Sequence, residues 1–424
     1  MARVMKDSGV EWIGEIPEGW KVSPVKNYIK WKSEKGYPEA QVLSLYRDFG
    51  IVPKDSRDDN HNVTSLDTSG YKYVEVGDLV INKMKAWQGS IAVSNYSGIV
   101  SPAYHVCQIV GDGIYKQYLH YLLRNPAYLP EYMRLSTGMR VGQWDLGFDD
   151  FKNIPIVLPD MLEQKRIVSF LDAECARIDA VIEQTRASIE EYKKLKQSVI
   201  TQAVTKGIRA GRKMKDSGIE WVGDIPEEWE VRRIKTLFRL RDEKNYLPLE
   251  EVNLISLYTD KGVVQHCDLE QTTGNKASNA DGYKKVYEND IVVNIILCWM
   301  GAIGRSSYTG VTSPAYDIYV PSDEIECRYY HHYFRTKGFS GDCYKRGKGI
   351  MAMRWRTYSD QFRDIPVVMP PIEEQREILD YLDAKTAEIE KLIEKKEKFL
   401  LEMESYKKSL IFEYVTGKKE VKHF

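Results

Sequence analysis

The chain has 424 residues, 43% of them hydrophobic, with 61 Lys and Arg against 62 Asp and Glu for a net charge of −1. That length fits two or three domains with ordinary cores, and the charge balance excludes a globally basic polyanion binder, so any such surface must be local. No run approaches the roughly 18 apolar residues of a membrane span, and no apolar signal core follows the N-terminus, so a cytoplasmic location without a membrane partner is expected.

In chain order the first element is Met5-Lys6-Asp7-Ser8-Gly9-Val10-Glu11-Trp12-Ile13-Gly14-Glu15-Ile16-Pro17-Glu18-Gly19-Trp20. Its Gly and Pro punctuation reads as loop and turn. Residues 70–82 then alternate like a half-buried strand, a turn and a second strand. Ser101-Pro102-Ala103-Tyr104 places Pro at the second position of a turn before another β-rich stretch. Tyr115 to Leu123 has helical spacing, and Ile154 to Pro159 reads as a closing strand. A long helix is expected from Leu162 to Lys206, free of Pro and rich in Glu, Lys, Gln and Leu.

All of this is then written a second time at an offset of about 210. Met214 to Trp229 repeats the opening, Ser256-Leu257-Tyr258 answers Ser44-Leu45-Tyr46, and Ser313-Pro314-Ala315-Tyr316 answers residues 101–104. A second long helix is expected from Ile372 to Thr416. Copies this long are whole modules, since solenoid units run to roughly 20–50 residues. Two similar sites related by a pseudo-two-fold axis follow.

Each long helix carries a narrow heptad seam. In the first, Leu171, Ile178, Thr185, Tyr192 and Val199 alternate with Val168, Cys175, Ile182, Ile189 and Lys196. In the second, Leu382, Ile389, Lys396, Met403 and Leu410 alternate with Leu379, Thr386, Ile393, Leu400 and Lys407. Such seams seal against one partner helix, and the other copy is the cheapest one. The expected fold is therefore α+β: two pseudo-two-fold-related globular domains of strands and helices, separated by an antiparallel coiled coil. The expected segments are an opening at 1–20, a first body at 21–160, a first long helix at 161–206 and a connector at 207–229. A second body at 230–371, a second long helix at 372–416 and a tail at 417–424 complete the chain.

This layout, with Pro159-Asp160-Met161-Leu162-Glu163-Gln164 and Pro370-Pro371-Ile372-Glu373-Glu374-Gln375 leading into the helices, resembles the specificity subunit of type I restriction-modification systems. The opening phrase and the endings Val204-Thr205-Lys206-Gly207 and Val415-Thr416-Gly417-Lys418 resemble that family too, over essentially the whole chain. One departure is Asp160, where the second copy has Pro371. The resemblance implies two target-recognition domains, each reading half of an asymmetric bipartite double-stranded DNA site. It implies a coiled coil that sets the gap and docks two methyltransferase subunits, with restriction and translocase subunits joining them. S-adenosylmethionine, ATP and Mg would then sit on the partner subunits, and none on this chain.

Motifs for the chain's own chemistry are weak. Asn125-Pro126-Ala127-Tyr128 imitates a base-holding methyltransferase loop, but it lacks the second Pro and any Gly-rich cofactor loop, so it reads as a turn beside a helix. Asp160, Glu163 and Lys165 spell a compressed nuclease signature on the wrong element, since Glu163 and Lys165 fall on different helix faces. Residues 341–349 lack Walker spacing. Six scattered cysteines form no Cys-x-x-Cys pair and read as reduced thiols; Cys327, His331 and His332 imitate only half a metal site.

DNA-contact candidates are Lys345, Arg346, Lys348, Arg354 and Arg356, a basic stretch free of acids whose glycines would let backbone approach phosphate. The first-copy counterpart offers Arg134, Arg140 and Gln143. Lys83 and Lys85 sit between two strands, while the counterpart Ile295 to Met300 is apolar and expected in the core. Trp12, Trp20, Trp87, Trp221, Trp229 and Trp299 are expected to pack. The leading expectation is a non-catalytic DNA-recognition subunit. A self-contained methyltransferase or nuclease, and a protein-only coiled-coil scaffold, are the alternatives.

Overall fold

The structure, a computed structural model, describes residues 3–47, 49–56, 64, 67–138, 144–266, 279–349 and 355–421. It divides into two compact units, one formed by residues 1–186 with 398–424 and the other by 187–397.

In the first unit the opening segment is more than loop and turn. Met5–Asp7 pairs antiparallel with Glu15–Pro17, and Gly9 and Gly14 take φ of 69° and 67° between them, where a Cβ would be strained. Strands of three residues are too short for alternation to betray them. Lys21–Pro24 then pairs with Pro155–Leu158, so the closing strand of the body lies on its first. Between these two strands lies a four-stranded antiparallel sheet in the order Ile29–Lys32, Tyr104–Ile109, Leu79–Asn82, Ile91–Val93. The 70–82 stretch does give strands at Lys72–Val74 and Leu79–Asn82, but the second is buried on both faces. Ser101 O accepts the Tyr104 N–H at 3.0 Å, closing the expected turn. The helix Lys116–Leu123 buries Tyr118, Leu119, Leu122 and Leu123 against the sheet.

The second unit repeats this plan. Met214–Asp216 pairs with Asp224–Pro226, Glu230–Arg233 with Pro366–Met369, and the sheet runs Phe238–Arg241, Tyr316–Pro321, Ile291–Asn294, Ile303–Arg305. The helix Cys327–Phe334 takes the place of Lys116–Leu123.

The long helices span Met161–Lys206 and Ile372–Val415. Every seam position is buried or half-buried: Leu171, Ile178, Ile182, Ile189, Leu382 and Ile389 fully, Ile393 and Leu400 partly. Polar seam residues are satisfied locally. Thr185 and Thr386 hydroxyls donate to the carbonyls of Val181 and Leu382, both at 2.7 Å. Pairing is antiparallel inside each unit. Lys407 meets Asp179 and Arg186 meets Glu404 in the first; Lys196 meets Glu390 in the second.

The Glu-Gln pair at each helix start is the hub of its unit. Gln164, wholly buried, accepts the Tyr115 N–H and donates to the Gly113 and Pro159 carbonyls. Gln375 likewise accepts from Glu326 N–H and donates to Pro370. Glu163 takes the Trp20 indole N–H at 3.1 Å, and Glu374 takes that of Trp229 at 3.0 Å. Glu374 is 2% exposed and also holds Arg212; burial pushes its carboxyl up, but the hydrogen bonds from Arg212 and Trp229 together with the Arg212 and Arg209 charges keep it below its ordinary value. Two tryptophans of the opening segments are thus packing residues, as expected.

Candidate nucleic-acid interface

Two segments far apart in sequence meet on one face of each body. In the first, residues 83–89 leave the strand Leu79–Asn82, make one 3-10 turn at Ala86–Gln88 and return through Gly89 at φ 90°. The hairpin formed by Ser136–Thr137 and Asp145–Leu146 lies beside it. Leu146 N–H donates to the Lys83 carbonyl at 2.9 Å, and the rings of Trp87 and Trp144 sit edge to face at 5.2 Å.

The second body builds the same join. Residues 295–301 turn at Cys298–Met300 and return through Gly301 at φ 88°. Lys348 and Arg356 exchange backbone hydrogen bonds of 2.8 and 3.0 Å, closing the base of the neighbouring hairpin. Thr357 N–H donates to the Ile295 carbonyl at 2.9 Å. Trp299 leans on Tyr344 at 5.6 Å, and Tyr344 stacks on Trp355 at 4.9 Å with planes 23° apart. Trp87 and Trp299 also tie their own turns, each indole donating three residues back, to Met84 O and Ile296 O. Their packing role holds.

The charges at the two joins are handled differently. Lys83 Nζ is 2.8 Å from Asp145 Oδ2. Arg134 makes a two-pronged pair with Glu131, which holds its guanidinium above its usual value. Lys85 is exposed and has no side-chain partner among the described residues. In the second body Lys345 pairs with Glu220, whose carboxylate raises it. Lys348 and Arg356 are exposed and Arg346 half-buried, none with an ion-pair partner among the described residues. Arg140, Gln143 and Arg354 lie outside the described residues.

One expectation about the joins needs correction. The stretch Ile295 to Met300 is not core: Cys298 is fully buried, but Leu297 is 37% and Met300 54% exposed, because the turn carries them to its tip. At Gly347 a Cβ would lie 2.2 Å from Trp355 Nε1, so the glycine leaves room for the indole. The aromatic stack was missed as a unit. Its sequence signal was Trp144 and Trp355, which recur at equivalent positions of the two copies.

The decoys resolve as structure. Asn125 is 1% exposed and its side chain caps the next turn, accepting the Ala127 N–H at 2.9 Å; Thr336 does the same for Phe339. Trp12 packs against Tyr128. Trp221 lies where a Cβ on Gly338 would be 2.0 Å away and donates its N–H to Asp342 at 2.6 Å. His331 is the acceptor for the Arg305 N–H, so it is spoken for.

A repeated α+β body, each copy carrying a join that differs in charge and each followed by a long seamed helix, is an internally duplicated protein with two equivalent candidate sites. The sequence profile of the type I restriction modification DNA specificity domain matches residues 17–191 and again 226–399, and the chain belongs to that family. It is 26% identical over 447 residues to the MjaX type I restriction enzyme specificity subunit of Methanocaldococcus jannaschii, covering 97% of this chain and 96% of that one. The MjaVIII specificity subunit of the same organism is 26% identical over 239 residues, 54% of this chain and 52% of its own. A solved chain from work on complex assembly and conformational transition of a type I R-M system shares the fold with a TM-score of 0.67. It is 14% identical, covering 95% of this chain and 99% of that chain.

Proposed function

We propose that the chain is the non-catalytic reader of a bipartite double-stranded DNA site, each body reading one half through its join of turn and hairpin. The observation that carries this is the paired join itself. The same backbone, tied by the same hydrogen bonds, is built twice and presents different exposed side chains each time. Repetition of the frame serves one task, and divergence of its tips serves two half-sites. Cations at the joins supply the sequence-independent attraction to phosphate, and the tips supply the discrimination.

The long helices set the unread gap and dock two methyltransferase subunits, with restriction and translocase subunits joining outside. S-adenosylmethionine, ATP and Mg belong to those partners. At 1.5 Å per residue, a matched insertion of four residues in both helices adds about 6 Å, or one to two base pairs. The expected result is a longer gap with both half-sites kept.

The deciding experiment has two arms. The purified chain is incubated with S-adenosylmethionine and DNA, alone and then with its modification subunits; methylation only in the second case is expected. Residues 21–160 are then replaced by those of another family member. Long-read methylation mapping should show one half-site changed and the other intact. Activity from the chain alone, or a change in both halves, overturns the reading.

A further inference from the structure

Two of the exposed places at which the joins differ lie on a turn whose backbone is unchanged. Residue 85 has φ −127° and ψ 10°, and residue 297 has φ −116° and ψ 7°. Both turns close on a left-handed glycine, Gly89 and Gly301. On that frame the first body exposes Lys85 and Gln88, while the second exposes Leu297 and Met300.

We infer that these two positions select the base pair, and that Leu297 and Met300 receive the 5-methyl groups of thymine in the major groove. This rests on the reading that the joins face DNA. A leucine and a methionine held partly exposed at a turn tip forgo part of the hydrophobic stabilisation of burial. The sister copy shows that the same frame accepts Lys and Gln there. Neither Leu297 nor Met300 can donate a hydrogen bond to a base edge. The thymine methyl is the apolar group that the major groove displays. Lys348 and Arg356, on the adjoining hairpin, bring the phosphate backbone to this tip. In the first body Lys85 is a pure donor suited to guanine O6 and N7, and Gln88 can pair with adenine N6 and N7.

The test uses the chain assembled with its modification subunits. Binding selection on DNA randomised in both half-sites is followed by affinity measurements on the winning site with deoxyuridine in place of thymine. We expect about a fourfold loss for each contacted methyl removed from the second half-site, the equivalent of one buried methylene, and none for the first. The L297K/M300Q variant should select a different base pair at one or two positions of the second half-site and lose its deoxyuridine sensitivity. K85L/Q88M should shift the first half-site towards thymine. L297A and M300A, which shorten exposed side chains, give the same deoxyuridine readout if the double variants fail to fold.

Retention of the wild-type second half-site and of deoxyuridine sensitivity by L297K/M300Q overturns the inference. So does an apolar wedge: affinity falling with M300A but indifferent to deoxyuridine, with loss of a DNA bend. Failure of the underlying reading looks different. Replacing all of residues 230–371 would then leave the second half-site unchanged.

Discussion

The two bodies repeat several buried hydrogen bonds and disagree at the tips of their joins. Tyr118 donates its hydroxyl hydrogen to Val157 and Val415 carbonyls, and Tyr329 does so to Val204. His120 accepts the Val93 N–H and His331 the Arg305 N–H. At the joins, by contrast, the Lys83–Asp145 pair of the first body is replaced by Ile295 and Arg356 in the second. An internal ion pair has become an apolar residue and an unneutralised cation. Buried contacts are held by the desolvation cost of leaving them unmade, whereas solvated tips can change without disturbing the frame beneath them.

The sharpest way to separate the bodies is through the carboxylates at the starts of their long helices. Arg212→Ala leaves Glu374, 2% exposed, without its cation, and should destabilise the second body by about 3–5 kcal/mol. Arg3→Ala leaves Glu163, whose side chain is 22% exposed, and should cost the first body about 1 kcal/mol. Denaturant unfolding followed by hydrogen exchange in each body measures both, and equal losses would erase the distinction.

Salt dependence of DNA binding should divide the joins next. Removing Lys348 and Arg356 together should lower the log–log salt slope of the assembled complex by about two units. Removing Lys83 and Arg134 should change it little, because Asp145 and Glu131 already neutralise them. Lys345, paired with Glu220, belongs with the second pair.

Acid should act on both bodies. Burial pushes His120 and His331 down to about 3, His332, where the first body has Tyr121, to about 4, and His105 of the first body below its ordinary value. The unfolded chain titrates near 6.5 and binds the extra protons, so stability is full above that pH and falls as the pH drops towards the folded values. At pH 5.5 each of His120, His331 and His332 should cost about 1 kcal/mol. Protection of the Val93 and Arg305 amides, followed against pH, should fall in both bodies.

The heptad seams were legible because a period of seven survives interruptions: Thr185, Lys196, Thr386 and Lys407 hold their places among the apolar positions and find local partners. The opening hairpins were illegible, since three-residue strands carry no period. Ile295 to Met300 misled because apolarity alone cannot tell a core from a tip. The corrective signal lay in the other copy, where Lys85 and Gln88 occupy the places of Leu297 and Met300. A position that takes lysine in one copy points outward in both. The aromatic stacks were hidden because Trp87 and Trp144 are distant in sequence and only the fold joins them.

The first unit is assembled from both ends of the chain. Gly417, at φ 73°, closes so tightly on the opening segment that a Cβ would lie 2.4 Å from Pro17, and Lys418 donates to the Glu15 carbonyl. The second unit is one uninterrupted stretch, 187–397. On the ribosome, where domains ordinarily mature from the N-terminus onward, this order is inverted. The body made first must wait, incomplete, for residues 398–424, while the body made second can close before it.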